Sequence, residues 1–376
     1  MMAHQSQLPE EIYMEILKRL SVKSLIRFKA VCKSWKSLIS TPYFFDRHFD
    51  RSVANSNKLG IILTKAYKYR VPHCLISFHT LNFSPTSSGE TCIEHTLIRC
   101  KEVKPLGWYR GLLLLGVDCS YNKLLLWNPS TNESKEIPDP PNRRLEYECI
   151  SASALGYDFN VKSHKIVLIY KSKSGKCENH ISVYTLKTNS WTSVDLDTDH
   201  KVASYNIFPI TLANGAPHWV IIHGDVYDED CHNIHYEIEY FDFDVNKFEV
   251  VPQPGDYDIS VLKAPPKLYD TGGGHLCIGN ETYEDDRIKL EIWVMKKDCW
   301  SKLWMCFEDK KVPLPICFAK NINVSLKLGD GGCAIYNGKE KGSRLECTRY
   351  ASGLRKRAFT FYQSLVCLEP EEVQER

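Results

Sequence analysis

Apolar positions near the start of the chain recur at helical spacing. Leu8, Ile12, Ile16 and Leu20 step four residues apart, with Tyr13 and Leu17 on a line beside them. Pro9 suits a first helical turn, where a missing N–H costs nothing. Ser21 is placed to cap a second short helix carrying Leu25 and Phe28. Val31, Trp35, Leu38 and Ile39 mark a third, which Pro42 is expected to stop. A segment of about 40 residues buries too little surface to be stable alone, so part of this apolar surface should meet a partner. Residues 45–57 are charged and polar and read as the end of a helix and a short linker. From Leu59 the period changes. Short β-rich runs follow, at Leu59–Thr64, Leu75–Leu81, Gly111–Val117, Leu124–Trp127, Lys165–Tyr170, Ile181–Leu186, His218–Ile222, Glu239–Phe243 and Leu290–Met295, separated by turn residues.

The later runs repeat. Eight-residue frames start at Trp127 (WNPSTNES), Tyr184 (YTLKTNSW), Phe241 (FDFDVNKF) and Trp293 (WVMKKDCW), with gaps of 57, 57 and 52 residues. Each opens on an aromatic at the end of an apolar strand and turns at Asn132, Asn189, Asn246 or Asp298. Trp191, Phe248 and Trp300 close the last three frames. Each frame reads as strand, turn, strand. Weaker relatives near Phe78 and Tyr336 bring the number of units to about six. A strand-rich repeat near 50 residues suggests a ring of four-stranded blades, with the frame aromatics filling the wedges between them. A β-sandwich is the alternative. In a closed ring, the strand near Leu59–Thr64 would share a blade, or neighbour one, with the run Phe359–Leu368.

The N-terminal segment resembles an F-box, the helical module that docks substrate receptors on the Skp-family adaptor of a cullin ubiquitin ligase. The resemblance rests on Leu8-Pro9-Glu10-Glu11-Ile12, Ile16-Leu17, Leu20, Leu25, Phe28, Val31-Cys32-Lys33, Trp35 and Leu38-Ile39. It implies that Leu8, Pro9, Ile12, Ile16, Leu17, Leu20, Leu25, Phe28, Val31, Cys32, Trp35 and Leu38 form the adaptor-binding set. Trp127-Asn128-Pro129-Ser130-Thr131, Gly156-Tyr157-Asp158, Asn214-Gly215-Ala216-Pro217-His218-Trp219, Tyr240-Phe241-Asp242 and Tyr362-Gln363-Ser364-Leu365-Val366 are similar to the F-box-associated, kelch-like interaction domain of plant F-box proteins. That group includes the S-locus F-box proteins and receptors that restrain immune-receptor levels. Paired glycines typical of kelch blades are mostly missing. The organisation expected is an F-box over 1–45, a linker over 46–57, a β domain over 58–370 and a tail over 371–376. The class is α+β: three helices, then an all-β propeller of six units.

Charge and composition narrow the function. A net charge of +2 predicts no strong attraction to nucleic acid or membrane. The first 50 residues hold eight Lys/Arg against five Asp/Glu, a mild excess that reads as solvated surface. No secretory apolar core stands at the start and no apolar run is long enough to span a bilayer, so cytosol or nucleus is expected. The 15 cysteines are scattered and read as reduced thiols.

No constellation announces catalysis, and no metal or cofactor is expected. Cys231-His232-Asn233-Ile234-His235 lacks a second knuckle for zinc. Gly272-Gly273-Gly274 and Lys173-Ser174-Gly175-Lys176 lack the frame of a phosphate loop and read as turns. The resemblance implies a non-catalytic receptor that holds a client lysine near ubiquitin activated elsewhere. Its partners would be a Skp-family adaptor, a cullin reached through it, and an unidentified client protein. A scaffold outside the ligase, or a propeller enzyme or sugar-binding protein with a helical cap, are the alternatives. Two stretches suit client recognition. The acidic one, 224–239, carries Asp225, Tyr227, Asp228, Glu229, Asp230 and Tyr236; the basic one, 65–73, carries Lys65, Tyr67, Lys68, Tyr69 and Arg70.

Overall fold

Alternation along the β-rich runs builds sheets, and short turns keep their strands antiparallel. The computed structural model describes residues 8–55, 58–67, 73–84, 87–98, 102–117, 123–141, 143, 148–172, 179–194, 211–223, 235–254, 266–270, 274–284, 287–296, 299–308, 315–318, 323–327, 332–337, 348–349, 355–360 and 362–368. Among these are four helices: α1 (Glu10–Leu17), α2 (Val22–Phe28), α3 (Lys33–Ile39) and α4 (Pro42–Asn55). The strands form six four-stranded sheets.

Blades 2 to 6 are each a meander of consecutive strands. Blade 2 joins Val103–Tyr109, Leu112–Val117, Lys123–Asn128 and Glu133–Ile137. Blade 3 joins Glu148–Asp158, Ser163–Ser172, Asn179–Thr185 and Ser190–Val194. Blade 4 joins Thr211–Ala213, Ala216–His223, His235–Asp242 and Lys247–Val250. Blades 5 and 6 begin at Lys267–Asp270 and Pro315–Phe318. Blade 1 joins Arg355–Thr360, Lys58–Tyr67, His73–Ser84 and Ser87–Ile98, with Leu59 facing Thr360. The two ends of the β domain thus share one sheet. First strands of successive blades touch from blade 4 through blades 5 and 6 to Arg355–Thr360. The sheets form a ring, as the even repeat predicts, and not the two facing layers of a sandwich.

The frame aromatics occupy the wedges. Trp127 packs with Ile76 of blade 1, and Tyr184 with Leu112, Leu114, Leu124 and Leu126 of blade 2. Phe241 packs against Val167, Ile169, Ile181 and Val183 of blade 3, and Trp293 against Val220 and Ile238 of blade 4. The turn asparagines Asn132, Asn189 and Asn246 all have left-handed backbone, with φ of 61°, 52° and 54°, a conformation that asparagine tolerates better than most side chains. This explains the aromatic-to-Asn spacing. Trp127 Nε1 donates to Asn132 Oδ1 at 3.3 Å, and the Tyr184 hydroxyl donates to Asn189 Oδ1 at 2.5 Å. Phe241 has no donor to offer, and Asn246 Oδ1 is buried without a hydrogen-bond partner. Closing aromatics latch neighbouring blades: Trp191 Nε1 donates to Pro138 O at 2.7 Å and Trp300 Nε1 to Pro252 O at 2.6 Å.

Three expectations change. Pro42 does not merely stop α3; it opens a fourth helix, whose first turn Thr41 caps through Oγ1, accepting Phe44 N–H at 3.2 Å. Residues 46–55, expected to be the end of a helix and a short linker, all belong to that fourth helix because Phe44, Phe45, His48 and Phe49 fall on one face at helical spacing. The C-terminal run is also shorter as a strand than expected. Pairing ends at Thr360, and residues 362–368 leave the sheet.

Candidate functional site

The helices are positioned by a small shared core. Leu17 of α1, Val22 and Leu25 of α2, Leu38 and Ile39 of α3 and Phe44 of α4 are all buried together. Trp35 wedges between Tyr13, edge-on at 6.0 Å, and Phe28, tilted at 5.2 Å. Ser21 caps α2, its Oγ accepting Ser24 N–H at 3.3 Å. Glu10 and Glu11 lie in the first turn of α1, where negative charge complements the helix dipole.

The apolar line legible in the sequence turns out to face outward. Leu8, Ile12, Ile16 and Val31 are 51%, 44%, 49% and 62% exposed. Pro9 and Cys32 are exposed beside them, and a hydrogen bond with the Ser34 hydroxyl holds the Cys32 thiol below its usual pKa. Ile26 and Tyr43 add exposed apolar surface that spacing does not reveal, because it picks out only Leu25 and Phe28 along α2 and Pro42 reads as a stop before α4. Leu17, Leu25 and Leu38, expected in the contact set, are core residues instead. Their neighbours enclose them, so they shape the module without offering a surface. Leu20, Phe28 and Trp35 are half-buried against the same core.

One member of that core comes from the far end of the chain. Leu365, 5% exposed, packs with Leu17, Val22, Leu25 and Phe44. The segment Tyr362–Leu368 forms a strap between helices and ring. Gln363 Oε1 accepts Val22 N–H at 3.5 Å, and Tyr362 meets Phe49 edge-on at 5.8 Å. On the ring side, Asn128 is fully buried; its Nδ2 donates to Ser364 O at 3.1 Å and Val366 O at 2.9 Å. Asn128 Oδ1 is occupied in turn, accepting Ser130 N–H at 2.9 Å. Gly111, at φ +83°, marks the crossing: a Cβ there would stand 2.2 Å from Ser364 Cβ and 2.9 Å from Tyr362 O. A second tie is electrostatic. Arg110 reaches Asp46 of α4 at 2.6 Å, with its guanidinium 4.4 Å from the Phe49 ring and 4.6 Å from Tyr157.

The expected client residues divide. Asp225, Tyr227, Asp228, Glu229 and Asp230 lie outside the described residues, as do Lys68, Tyr69 and Arg70, the 173–176 turn, and Cys231 to Ile234. Tyr236 is not a surface residue. It is 6% exposed in the strand His235–Asp242, on the side shared with Ile238, and packs into the wedge toward blade 5. The Asn214–Gly215 turn lies at the helical end of the ring, beside Tyr109 and Phe159. The strand Ala216–His223 runs away from it, so His223 and His235, which flank the acidic stretch, lie at the opposite end. No group of His, Cys, Asp or Glu that could hold a metal ion is found among the described residues.

Comparison with known proteins agrees with this division. The model for the F-box associated beta propeller domain matches residues 75–335, and that for the F-box domain matches residues 5–47. The chain belongs to the F-box-associated β-propeller family. Its relatives are F-box proteins of Arabidopsis thaliana. It is 27% identical over 257 residues to a putative F-box protein, a match covering 66% of each chain. It is 30% identical over 194 residues to an F-box/kelch-repeat protein, covering 50% of this chain and 51% of that one. F-box protein CPR1 is 23% identical over 330 residues, covering 81% of this chain and 74% of CPR1. The chain thus spans about half to two thirds of the length of the first two. No described helix is long and apolar enough to cross a membrane.

Proposed function

We propose that this protein is a non-catalytic substrate-recognition subunit of an SCF-type ubiquitin ligase, and that it works in the cytosol or nucleus. The F-box would bind a Skp-type adaptor and, through it, a cullin; the ring would hold a client protein for ubiquitination. One observation carries the reading. With Leu365 of the strap the core of the helical module is filled, yet Leu8, Ile12, Ile16 and Val31 stay exposed around α1 and the approach to α3. Apolar surface on so small a module suits a protein interface. The docking set is therefore the exposed part of the expected residues: Leu8, Pro9, Ile12, Ile16, Val31 and Cys32, with Ile26 beside them.

In this role the protein supplies proximity, raising the local concentration of a client lysine near activated ubiquitin. Relatives among F-box and F-box/kelch-repeat proteins support the adaptor half of the reading. Ile16→Asp tests it. A carboxylate placed in an apolar interface costs several kcal/mol or must bind a proton, which is about a hundredfold or more in affinity. Because Ile16 is half exposed in the free chain, the substitution should leave the fold and melting temperature unchanged. Undiminished capture of the adaptor by Ile16→Asp would remove this face from consideration.

A further inference from the structure

A cavity of about 630 Å³ lies where α4, the strap and the turns of blades 2 and 3 meet. Its size is that of a small-molecule site. Helix α4 contributes Phe45 and Phe49, and blade 3 contributes Leu186, so much of the wall is apolar. The charged groups are unbalanced. Arg110, Lys162 and Lys187 line the cavity against the single carboxylate of Asp46. Arg110 is already committed to Asp46 and to the two rings that sandwich it. Neither lysine has an acidic partner among the described residues; Lys187 Nζ has only the Val161 carbonyl, at 3.4 Å.

A buried polar group also lines the cavity. His164 is 4% exposed, and its Nε2 has no hydrogen-bond partner. Native proteins rarely leave such a group unsatisfied. Burial first, and the nearby Arg110 second, hold this imidazole neutral, with its pKa lowered to about 3. It therefore adds no charge but offers one hydrogen bond.

We propose that this cavity binds a small amphiphilic anion, its apolar body against Phe45, Phe49 and Leu186 and its acid group against Lys162 and Lys187. A donor on the body would meet His164. Such a ligand would touch the helical module and the ring together, and would strengthen the seat between them.

Two fluorescent dyes of the same shape test this on the full-length chain. 8-Anilinonaphthalene-1-sulfonate carries an acid group; N-phenyl-1-naphthylamine has the same rings and N–H without it. The sulfonate is expected to bind at one saturable site, more tightly than the neutral dye, and to raise the melting temperature. Replacing both exposed lysines (Lys162→Met with Lys187→Met) should weaken the sulfonate about tenfold, the scale of two partly exposed charge contacts, and leave the neutral dye unchanged. Val161→Trp, at an exposed position on the rim, should weaken both dyes. The proposal fails if the dyes bind equally to the natural chain, if the lysine pair makes no difference, or if Val161→Trp affects neither dye.

Discussion

Leu365→Ala asks whether the F-box of this protein stands by itself. Leu365 belongs to the chain's last described segment, yet it fills the core beneath α1, α2 and α4. Truncating a buried leucine costs about 2–5 kcal/mol, the lost transfer energy plus the cavity left behind. Stability of about 0.05–0.15 kcal/mol per residue gives the 48 residues of 8–55 only about 2–7 kcal/mol in all. The substitution therefore removes an amount comparable to what holds the helices closed. The ring has its own wedge cores and should stay folded. Hydrogen exchange resolves the two. In Leu365→Ala, amides of α1 to α3 should lose protection while those of blades 2 to 4 keep theirs, and adaptor affinity should fall with the helices. Leu365→Met, which refills most of the space, should restore both. Unchanged helix protection in Leu365→Ala would refute the strap as part of the F-box core. Deleting residues 1–44 would likewise uncover Leu365 and leave Gln363 without its Val22 contact, so that deletion perturbs the strap as well as removing the adaptor site.

Three further outcomes follow from single contacts. Asn128→Leu strips the donors from two carbonyls of the strap, each worth about 1–3 kcal/mol when buried unsatisfied, and should free residues 362–368 to proteolysis ahead of the ring. Phe241→Tyr should stabilise the chain: the new hydroxyl can reach the orphaned Asn246 Oδ1 as Tyr184 reaches Asn189, a gain of about 0.5–1.5 kcal/mol, and a lower melting temperature would show that the hydroxyl does not fit. Acid should weaken the fold through His164, whose folded pKa of about 3 lies below its ordinary 6.5. The unfolded chain binds that proton first, so stability is full above about pH 6.5 and is lost as pH falls from there toward 3. His48, also lowered by burial, acts in the same direction. A melting temperature that stays level between pH 7 and 5, or a slope unaltered by His164→Gln, would contradict this.

Much of the architecture was legible because it is local. Helical spacing in the first 40 residues, the change to strands at Leu59 and the aromatic-to-Asn frames each need only a few consecutive residues. The turn at Asn189 is fixed by Tyr184 five positions away. Even ring closure could be inferred, from an unpaired run at each end of the β domain. The strap could not. Its bonds join Val22 to Gln363 and Asn128 to Ser364, 341 and 236 positions apart, and no periodicity in 362–368 signals a partner. The sense of the α1 faces was also hidden. Spacing shows that Leu8, Ile12 and Ile16 share one side and Tyr13 and Leu17 another, but not which side the rest of the core will cover. Tyr236 was misplaced for a related reason. An aromatic next to an acidic run resembles a recognition residue, and only strand register shows it alternating inward with Ile238.

The central claim is that this chain is the receptor arm of a cullin ligase, and reconstitution tests it most directly. The full-length protein, a Skp-type adaptor and a cullin are mixed and passed over a size-exclusion column with in-line light scattering. The account predicts a single peak with the mass of a 1:1:1 complex, lost when Ile12 and Ile16 are both replaced by Asp while the variant alone elutes and melts as the natural chain does. A folded natural chain that elutes separately from the adaptor–cullin pair would contradict it.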